Sequence, residues 1–465
     1  MFNKDKISIT DNFFELGGDS LVAIKLQTEA LKFNLDINYG DIFSNPTIEL
    51  LSQKDLNTKT TFTNDNINYS DIKKLISINT DQNIPKSISF NNTKGFLLLG
   101  TTGFLGAHIL DNILQNTSSK VYCIIREKNG VSAQERLANI LSFYFGDKYS
   151  FNTDNRIIVL TGDISKPNFG FTDEILAYLT QNVSTVINSA AHVKHYGKYE
   201  EFNTSNVEGT KNVIDFCLNF KKKLYHISTI SISGTTSIDN SLSQNDFFET
   251  DFYIKQDLNN AYIYTKFQSE LLILNSIKEQ KLNATILRLG NIFNRYSDGK
   301  FQINFSDNSY LNRLKSFLEI GALPDIFKNH AIDFSPVDYC ADAIVKIALS
   351  EHNFTVFHIF NTNLVSFTKL LDYLNKLDYN INFTSNRTFK EKINSLINDS
   401  TYADKISGII PDLDKNMNLK LIFGVVPKAD FTNAYLNKLG FTWPNIDLYY
   451  FECFINYFKN IGYLD

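Results

Sequence analysis

The chain has 465 residues, of which 43% are hydrophobic and 20% charged, and its 45 basic and 50 acidic residues give a net charge of -5. At roughly 150 residues per domain, this length predicts two to four domains with ample cores. The ordinary apolar content excludes a fibrous or wholly disordered chain, and the mildly acidic balance argues against a nucleic-acid binder.

The four cysteines, Cys123, Cys217, Cys340 and Cys453, lie far apart and form no C-x-x-C pair. This spacing indicates neither a zinc ribbon nor a disulfide framework, and it favours a reducing cytoplasm. The first residues lack the apolar core of a signal peptide, and no apolar run approaches the roughly 18 residues of a membrane span. We therefore expect a cytoplasmic protein without a membrane partner.

Residues 1–55 form the first zone, in which the loop ITDNFFELGGDS leads into an apolar-periodic helix and DIFSNPTIELL forms a short final helix. Ser20 stands where the first helix begins, a position that favours a phosphodiester; an ordinary Ser N-cap is the alternative. DNFFELGGDSLVAIKL followed by DIFSNPTIELL resembles the acyl or peptidyl carrier family. That resemblance implies a small all-helical carrier domain with 4'-phosphopantetheine on Ser20, attached by a phosphopantetheinyl transferase.

Carrier domains of this kind begin with another helix ahead of the DNFF segment, and only about ten residues precede it here. We therefore expect either that the sequence is a fragment of a longer assembly or that the first carrier helix is missing. Residues 56–92 are rich in Asn, Thr, Asp and Lys with few apolar anchors, which predicts a linker.

From Lys94 onward, short apolar runs alternate with helical segments, a pattern typical of a parallel sheet covered on both faces. It predicts a Rossmann-like, doubly wound α/β domain. The predicted strands are GFLLL (95–99), VYCII (121–125), IIVL (157–160), TVINSA (185–190), LYHIS (224–228) and ATILRL (284–289), with IDFSPVD (332–338) and VFHIF (356–360) as later candidates.

We predict one α/β domain over 93–465, with a nucleotide-binding part at about 93–300 plus 332–364. The substrate-binding part, a smaller and mostly helical C-terminal subdomain, is expected at about 301–331 and 365–465. Aromatic residues at helical spacing in 448–464 favour a core helix over a membrane-surface helix.

The first strand is followed by GTTGFLGAHIL, whose glycines allow a tight turn, close approach of backbone to a pyrophosphate, and tight packing of helix on strand. The G-x-x-G-x-x-G spacing resembles the extended short-chain dehydrogenase/reductase superfamily and points to a nicotinamide dinucleotide. The loop residues predicted to hold it are Gly100, Thr102, Gly103, Phe104, Leu105 and Gly106.

Arg126 ends the second strand, where an NAD site normally presents an acidic residue to the ribose. A guanidinium suits a 2'-phosphate, and Arg136 offers a second contact; solvated charges after a strand are the alternative. The pair favours NADPH over NADH. In the family pattern Asp163, with Ile164 beside it, faces the adenine, and Ala190 lines the nicotinamide half.

Asn206, in NVEGTKNV, resembles the helix residue that supports the active site in the same superfamily. His192 and His195 stand three apart, but no third ligand is nearby, so we expect no metal site.

Tyr262 and Lys266 stand four apart in NAYIYTKFQSE and share one helical face. A phenol beside an ammonium group is biased toward releasing its proton, so Tyr262 is the candidate general acid. Thr229, at the end of the fifth strand, supplies a second hydrogen bond to the same oxygen. The three residues resemble the catalytic triad of the superfamily, with Lys266 also holding the nicotinamide ribose.

LRLGNIF (287–293), DGKFQIN (298–304) and IDFSPVDYCADAI (332–344) resemble the thioester reductase branch of that superfamily, whose domains terminate some nonribosomal peptide synthetases and carboxylic acid reductases. The resemblance covers residue 93 to the carboxyl terminus. It implies that upstream synthetase modules load an acyl or peptidyl thioester onto the carrier, and that NADPH reduces it to an aldehyde, or further to an alcohol.

No G-x-S-x-G elbow occurs, so hydrolytic release is not expected. Two other functions stay open. One is an extended reductase or epimerase acting on a soluble nucleotide sugar, which leaves residues 1–55 unexplained. The other is a carrier and docking module whose reductase domain is inactive, which the intact Tyr262, Lys266 and Thr229 disfavour.

Overall fold

The computed structural model describes residues 6–18, single positions between 22 and 37, and then 39–53, 69–77, 80–90, 93–149, 155–193, 199–234, 245–258, 260–397, 406–413, 418–419 and 425–464. The α-helices are α1 (Tyr39–Ser44), α2 (Ile48–Gln53), α3 (Tyr69–Ile76), α4 (Phe104–Asn116), α5 (Ala133–Phe145), α6 (Asp173–Asn182), α7 (Tyr199–Phe202), α8 (Gly209–Asn219), α9 (Ala261–Gln280), α10 (Ser309–Ile320), α11 (Val337–Leu349), α12 (Phe367–Lys376), α13 (Asn386–Ile397), α14 (Asp430–Lys438) and α15 (Leu448–Asn460).

The strands are β1 (Gly95–Leu99), β2 (Lys120–Ile125), β3 (Ile157–Thr161), β4 (Thr185–Asn188), β5 (Lys223–Thr229), β6 (Asn245–Phe247), β7 (Ala284–Leu289), β8 (Ile292–Phe293), β9 (Ala322–Pro324), β10 (Ala331–Ile332), β11 (Ser335–Pro336), β12 (Val356–Ile359), β13 (Val365–Ser366), β14 (Asn382–Thr384) and β15 (Val425–Pro427).

Near the amino terminus, a loop folds back on the buried side chain of Phe13. The Phe13 N–H donates to the oxygen of Pro46 (2.7 Å), and the Phe13 oxygen accepts from the N–H of Gly18 (2.8 Å). A Cβ on Gly18 would lie 2.4 Å from the Phe13 oxygen, so only glycine fits there. Ile42 of α1 is fully buried. Ser20, two residues after this loop, lies outside the described residues.

Seven parallel strands form the main sheet in the order β12-β7-β5-β4-β1-β2-β3, which confirms the predicted doubly wound α/β fold. The order reverses at β1, whose neighbours are β2 on one side and β4 on the other. A crevice at the carboxyl ends of β1 and β4 follows from this reversal. The six strands predicted before residue 300 are all present, with ends that differ by at most two residues, and 356–359 adds an edge strand.

The sheet is apolar on both faces because each strand has a buried layer above and below it. Phe96 and Leu98 of β1 face the core cluster that includes α4 and α11, whereas Leu97 and Leu99 face the cluster that includes α8 and α9. This alternation explains the unbroken apolar runs that predicted the sheet.

The last third is mostly helical and builds a second, aromatic-rich core, as predicted. The segment 448–464 contributes helix α15, whose buried residues are Tyr450, Phe451, Phe454, Ile455 and Phe458, so its interpretation as a core helix is confirmed. Within the described residues, no helix has both the length and the apolar character that crossing a bilayer requires.

The prediction of strand over 332–338 is confirmed only in part. Ile332 ends β10, Ser335–Pro336 form β11, and α11 begins at Val337. Pro336 is both the last residue of β11 and the N-cap of α11, so the strand ends where the helix begins.

Helix α14 does not join the aromatic-rich core. Its Phe431 and Tyr435 pack against Phe354 and Phe357, next to the edge strand β12. Part of the last third therefore covers the main sheet.

A buried ion pair fixes α9 to the sheet. Arg288 of β7 and Glu270 of α9 both have fully buried side chains, and their closest N–O distance is 2.8 Å. Arg288 also donates to the oxygen of Asp251 (2.8 Å), and its guanidinium lies 5.2 Å from the ring centre of Phe247. Such a pair holds the register of α9 against β7 because neither charge has water to replace its partner.

We expect Glu270→Gln to lower the free energy of unfolding by about 3 to 5 kcal/mol, because the charge of Arg288 would stay buried without its partner. Urea unfolding monitored by fluorescence of Trp443, the single tryptophan, measures the change. The matched control is Glu391→Gln, which removes an exposed partner of Arg387 on α13 and should cost about 0.5 kcal/mol or less. Equal effects of the two substitutions would contradict the structural role of the buried pair.

Candidate active site

The turn after β1 brings the ends of β1 and β4 together. Gly100 has φ of +82°, and a Cβ there would lie 2.6 Å from the backbone nitrogen of Ala190. Both the N–H and the hydroxyl of Ser189 donate to the oxygen of Leu99, at 3.1 and 2.6 Å. Thr102, in the same turn, is half-buried. The crevice is therefore lined by backbone where the two strands end.

Helix α4 begins directly after this turn. The N–H of Gly103 donates to the oxygen of Gly100 (2.9 Å), and Gly103 caps the helix without any side-chain hydrogen bond. A Cβ on Gly106 would lie 2.1 Å from the same oxygen, so α4 packs closely on the turn. The N–H groups of Phe104 and Leu105, in the first turn, have no acceptor within the helix, and such groups stabilise an anion.

Two arginines and an aspartate meet where β2 and β3 end. A guanidinium nitrogen of Arg126 lies 3.9 Å from a carboxylate oxygen of Asp163, and the Arg126 side chain is 61% exposed. Arg136 of α5 donates to the backbone oxygen of Arg126. Burial and the like charge of Arg126 lower the pKa of Arg136. The structure thus brings together the three charged residues predicted at the ribose and adenine end.

The loop after β3 is fixed by its own hydrogen bonds. One Asp163 carboxylate oxygen accepts from the N–H (2.9 Å) and the hydroxyl (2.8 Å) of Ser165. The Ile164 oxygen accepts from the side chain of Asn212 on α8 (2.9 Å). Asp163 and Ile164 follow β3 and therefore stand at the carboxyl edge of the sheet.

Thr229, Tyr262 and Lys266 are brought together by β5 and α9. Asn260 caps α9 by accepting from the N–H of Ile263 (3.2 Å), which places Tyr262 in the first turn. Tyr262 is half-buried and shares a hydrogen bond with the Thr229 hydroxyl. Lys266, only 2% exposed, donates to the backbone oxygen of Ile227 on β5 (2.6 Å).

The pKa values of this group differ from the sequence expectation. Burial raises the pKa of the Tyr262 phenol to about 12, and the hydrogen bond with Thr229 is what acts in the opposite direction. Burial lowers the pKa of Lys266 to about 8, and Glu270 acts in the opposite direction. The sequence predicts a phenol made more acidic by Lys266, but the lysine nitrogen is engaged with β5. Tyr262 therefore keeps its proton at neutral pH and remains able to donate it.

Asn206 connects the end of β4 with α9. It lies in a π-helical turn, Asn203–Glu208, and its side chain accepts from the N–H of His192 (2.8 Å) while donating to the His192 oxygen (3.2 Å). It also donates to the hydroxyl of Thr265 (3.1 Å), which lies between Tyr262 and Lys266 in the sequence. His195 lies outside the described residues.

Sequence reasoning missed Asn188 and His226. They are paired in register on the neighbouring strands β4 and β5, and His226 contacts Lys266. Two polar residues near the carboxyl ends of otherwise apolar strands were the available signal. Their pairing depends on the strand register, which a single sequence does not give.

The site fits a nicotinamide dinucleotide. A pyrophosphate suits the turn lined by backbone and the helix start that has no side-chain cap. A ribose phosphate suits the two guanidinium groups. Gly100, Thr102, Gly103, Phe104, Leu105 and Gly106 would hold the pyrophosphate side, and Lys266 would hold the nicotinamide side.

Two family models match the chain. The model described as male sterility protein, an NAD-binding family, matches residues 98–344, and the phosphopantetheine attachment site matches residues 2–54. Among curated proteins, the L-2-aminoadipate reductase large subunit of Candida glabrata is 24% identical over 95% of this chain. A linear gramicidin synthase polypeptide of Brevibacillus parabrevis is 23% identical over 99% of it. The chain spans 34% and 9% of the lengths of these two relatives.

Solved structures extend the comparison. A thiolation-reductase di-domain from an archaeal nonribosomal peptide synthetase is 32% identical, with a TM-score of 0.85 over 100% of this chain and 96% of that one. The reductase domain of the aureusimine biosynthetic cluster is 25% identical, with a TM-score of 0.70 over 85% and 98%. UDP-glucuronic acid 4-epimerase from Bacillus cereus, 19% identical with a TM-score of 0.53 over 79% and 99%, shares the fold alone.

We expect Gly106→Ala to weaken NADPH binding about tenfold or more, because overpacking against a backbone oxygen costs about 1 to 3 kcal/mol and displaces the start of α4. Fluorescence titration of the reduced nicotinamide measures the dissociation constant. Gly103→Ala is the matched control, because its Cβ would lie 3.2 Å from the same oxygen and should cause a smaller loss. Unchanged binding by Gly106→Ala would contradict the close packing of helix on turn.

Proposed function

The chain belongs to the male sterility protein family, whose model covers more than half of it, and from this premise we propose that it is a thioester reductase acting on its own carrier segment. Its reaction would be the NAD(P)H-dependent reductive release of an acyl or peptidyl thioester as an aldehyde. The same site would accept the aldehyde for a second reduction to an alcohol.

The observation that carries this proposal is the meeting of three features at one edge of the sheet. The glycine turn after β1, the hydrogen-bonded hydroxyls of Thr229 and Tyr262, and the buried Lys266 all stand where parallel strands end. The phosphopantetheine attachment match at residues 2–54 supplies the source of a thioester in the same chain.

The chemistry divides between the cofactor and the chain. A bound nicotinamide dinucleotide supplies the hydride. Thr229 and Tyr262 donate hydrogen bonds to the carbonyl oxygen of the thioester, where negative charge develops. Tyr262 supplies the proton, since its raised pKa keeps the phenol protonated until that charge appears. The carbon–sulfur bond of the resulting hemithioacetal then breaks: the oxygen gives up its proton as the carbonyl re-forms, the sulfur takes up a proton, and the aldehyde and a free thiol leave.

The cofactor preference proposed is NADPH. Arg126 and Arg136 converge at the end of β2, where a 2'-phosphate would lie, and Asp163 balances only one of them. Two guanidinium groups against one carboxylate leave a net positive site, which favours the extra phosphate.

The proposed organisation assigns residues 1–55 to the carrier, 56–92 to a linker and 93–465 to the reductase. A phosphopantetheinyl transferase would modify Ser20, and upstream synthetase modules would load the arm. We also propose that the protein works in the cytoplasm, where the buried thiols of Cys123, Cys217 and Cys340 stay reduced.

We expect Tyr262→Phe to lower kcat by about 10²- to 10⁴-fold, because it removes the proton donor. The measurement is NADPH oxidation by protein loaded at Ser20 with an acyl-pantetheine, with identification of the product. NADPH binding by the variant should be unchanged, which controls for folding. Undiminished turnover by a folded Tyr262→Phe protein would contradict the assignment.

In the same assay, Ser20→Ala separates the delivery of the thioester by the carrier from the reduction of the thioester. This variant should release nothing from the carrier yet still reduce a soluble acyl-pantetheine thioester. Reduction of a nucleotide sugar by Ser20→Ala would instead support the soluble-substrate alternative. NADPH binding without reduction of either thioester would support an inactive docking module.

We expect Arg126→Ala to raise the KM for NADPH by about 10- to 100-fold, because a hydrogen bond between charged groups contributes about 1.5 to 3 kcal/mol. The KM for NADH should change little. Lys120→Ala is the control, since it removes a positive charge from the opposite end of the same strand. Equal losses for the two cofactors would contradict a 2'-phosphate contact.

A further inference from the structure

A line of hydrogen-bonding groups runs from the end of β4 through β5 to Lys266. The N–H of Ala190 donates to the side-chain oxygen of Asn188 (3.2 Å). The Asn188 side-chain nitrogen faces Nδ1 of His226 (3.3 Å), and Nε2 of His226 faces the nitrogen of Lys266 (3.3 Å). Lys266 also donates to the oxygen of Ile227 (2.6 Å). Asn188, His226 and Lys266 are each at most 2% exposed, so water does not interrupt the line.

The direction of the hydrogen bonds is set at the Ala190 end. A backbone N–H can only donate, so the side-chain oxygen of Asn188 must face it, and the side-chain NH₂ of Asn188 must face His226. Nδ1 of His226 then has to accept. A neutral imidazole carries one proton, so that proton lies on Nε2 and points at Lys266.

An ammonium group has three donors and no acceptor, so it would oppose the N–H of His226, whereas an amine accepts that hydrogen and still donates to Ile227. We propose that Asn188 and His226 are positioning residues that favour the amine form of Lys266, so that this lysine exchanges its proton within the working pH range of the enzyme.

The surroundings of Lys266 agree with this. Burial, reinforced by the charge of Lys266, holds the pKa of His226 well below its usual range, so the imidazole is neutral. Glu270 on α9 favours the ammonium form, but its carboxylate is paired with Arg288 of β7. The hydroxyls of Tyr262 on α9 and Thr229 on β5 carry no charge at neutral pH.

The inference rests on the proposed function and gives Lys266 a further task. An ammonium group at Lys266 can stabilise the negative charge that develops on the thioester oxygen. Only the ammonium form can do so, and turnover should therefore fall as pH rises through the titration of Lys266. Substitutions at Asn188 or His226 that no longer favour the amine form should raise the pH at which turnover falls.

The test is a ¹³C NMR titration of protein labelled at the lysine ε carbons, with the Lys266 signal assigned by its loss in Lys266→Met. It uses no thioester, so it can fail while the reductase function stands, and the reverse. Wild-type Lys266 should titrate near pH 8. His226→Gln should raise this by about one pH unit, the equivalent of one hydrogen bond.

Asn188→Asp is the second variant, since its carboxylate accepts from Nδ1 and moves the His226 proton off Nε2; it should also raise the titration point. His352→Gln is the control, a half-buried imidazole that faces Tyr225 instead and should leave Lys266 unchanged. The alkaline fall in kcat should follow the NMR values in each variant. Titration of wild-type Lys266 together with the bulk lysines, near pH 10, would overturn the proposal, as would identical values in wild type and both variants.

Discussion

The constraint on which the site depends is the burial of a lysine that has almost no contact with water. Lys266 must find its hydrogen bonds within the protein, and it finds them on β5, at the oxygen of Ile227 and the ring of His226. Those bonds hold α9 against β5, and the buried pair of Glu270 with Arg288 holds the next turn of α9 against β7. Because α9 is fixed at both turns, Tyr262 in its first turn reaches the hydroxyl of Thr229. A shift of α9 by one residue would break all of these contacts together.

The parallel sheet brings the remaining residues of the candidate active site to the same edge. Since β1, β2, β3, β4 and β5 all end at one edge, the glycine turn, the arginine pair, the Asp163 loop and the Thr229 hydroxyl lie along a single line of strand ends. The glycines matter because they have no side chain. Gly100 lets the backbone of β4 approach, and Gly106 lets α4 pack on the turn. The candidate site therefore presents backbone at the glycine turn, where a pyrophosphate would lie, and the side chains of Thr229, Tyr262 and Lys266 where the reaction would take place.

Much of this could be predicted because the signals are local. An apolar run with two buried faces predicts its own strand, and Gly100, Gly103 and Gly106 predict a turn whatever follows them. The strand prediction over 332–338 was too long because α11 begins at Val337, inside the same apolar segment. Asn188 and His226 were missed because their meeting depends on the register of β4 with β5. The pKa of Tyr262 was predicted in the wrong direction because the sequence places Lys266 one turn away but does not show the burial that raises the pKa of the phenol.

The central claim is that a thioester on Ser20 is reduced by hydride at the site formed by Thr229, Tyr262 and Lys266. The most direct measurement uses NADPH with deuterium at the transferable position and protein loaded at Ser20 with an acyl-pantetheine, followed by mass spectrometry of the product and of the arm. The account predicts a free thiol on the arm and either an aldehyde with one deuterium on its carbonyl carbon or an alcohol with two deuteriums on the same carbon. Release of an unlabelled carboxylic acid, or an arm that keeps its acyl group while NADPH stays reduced, would contradict it.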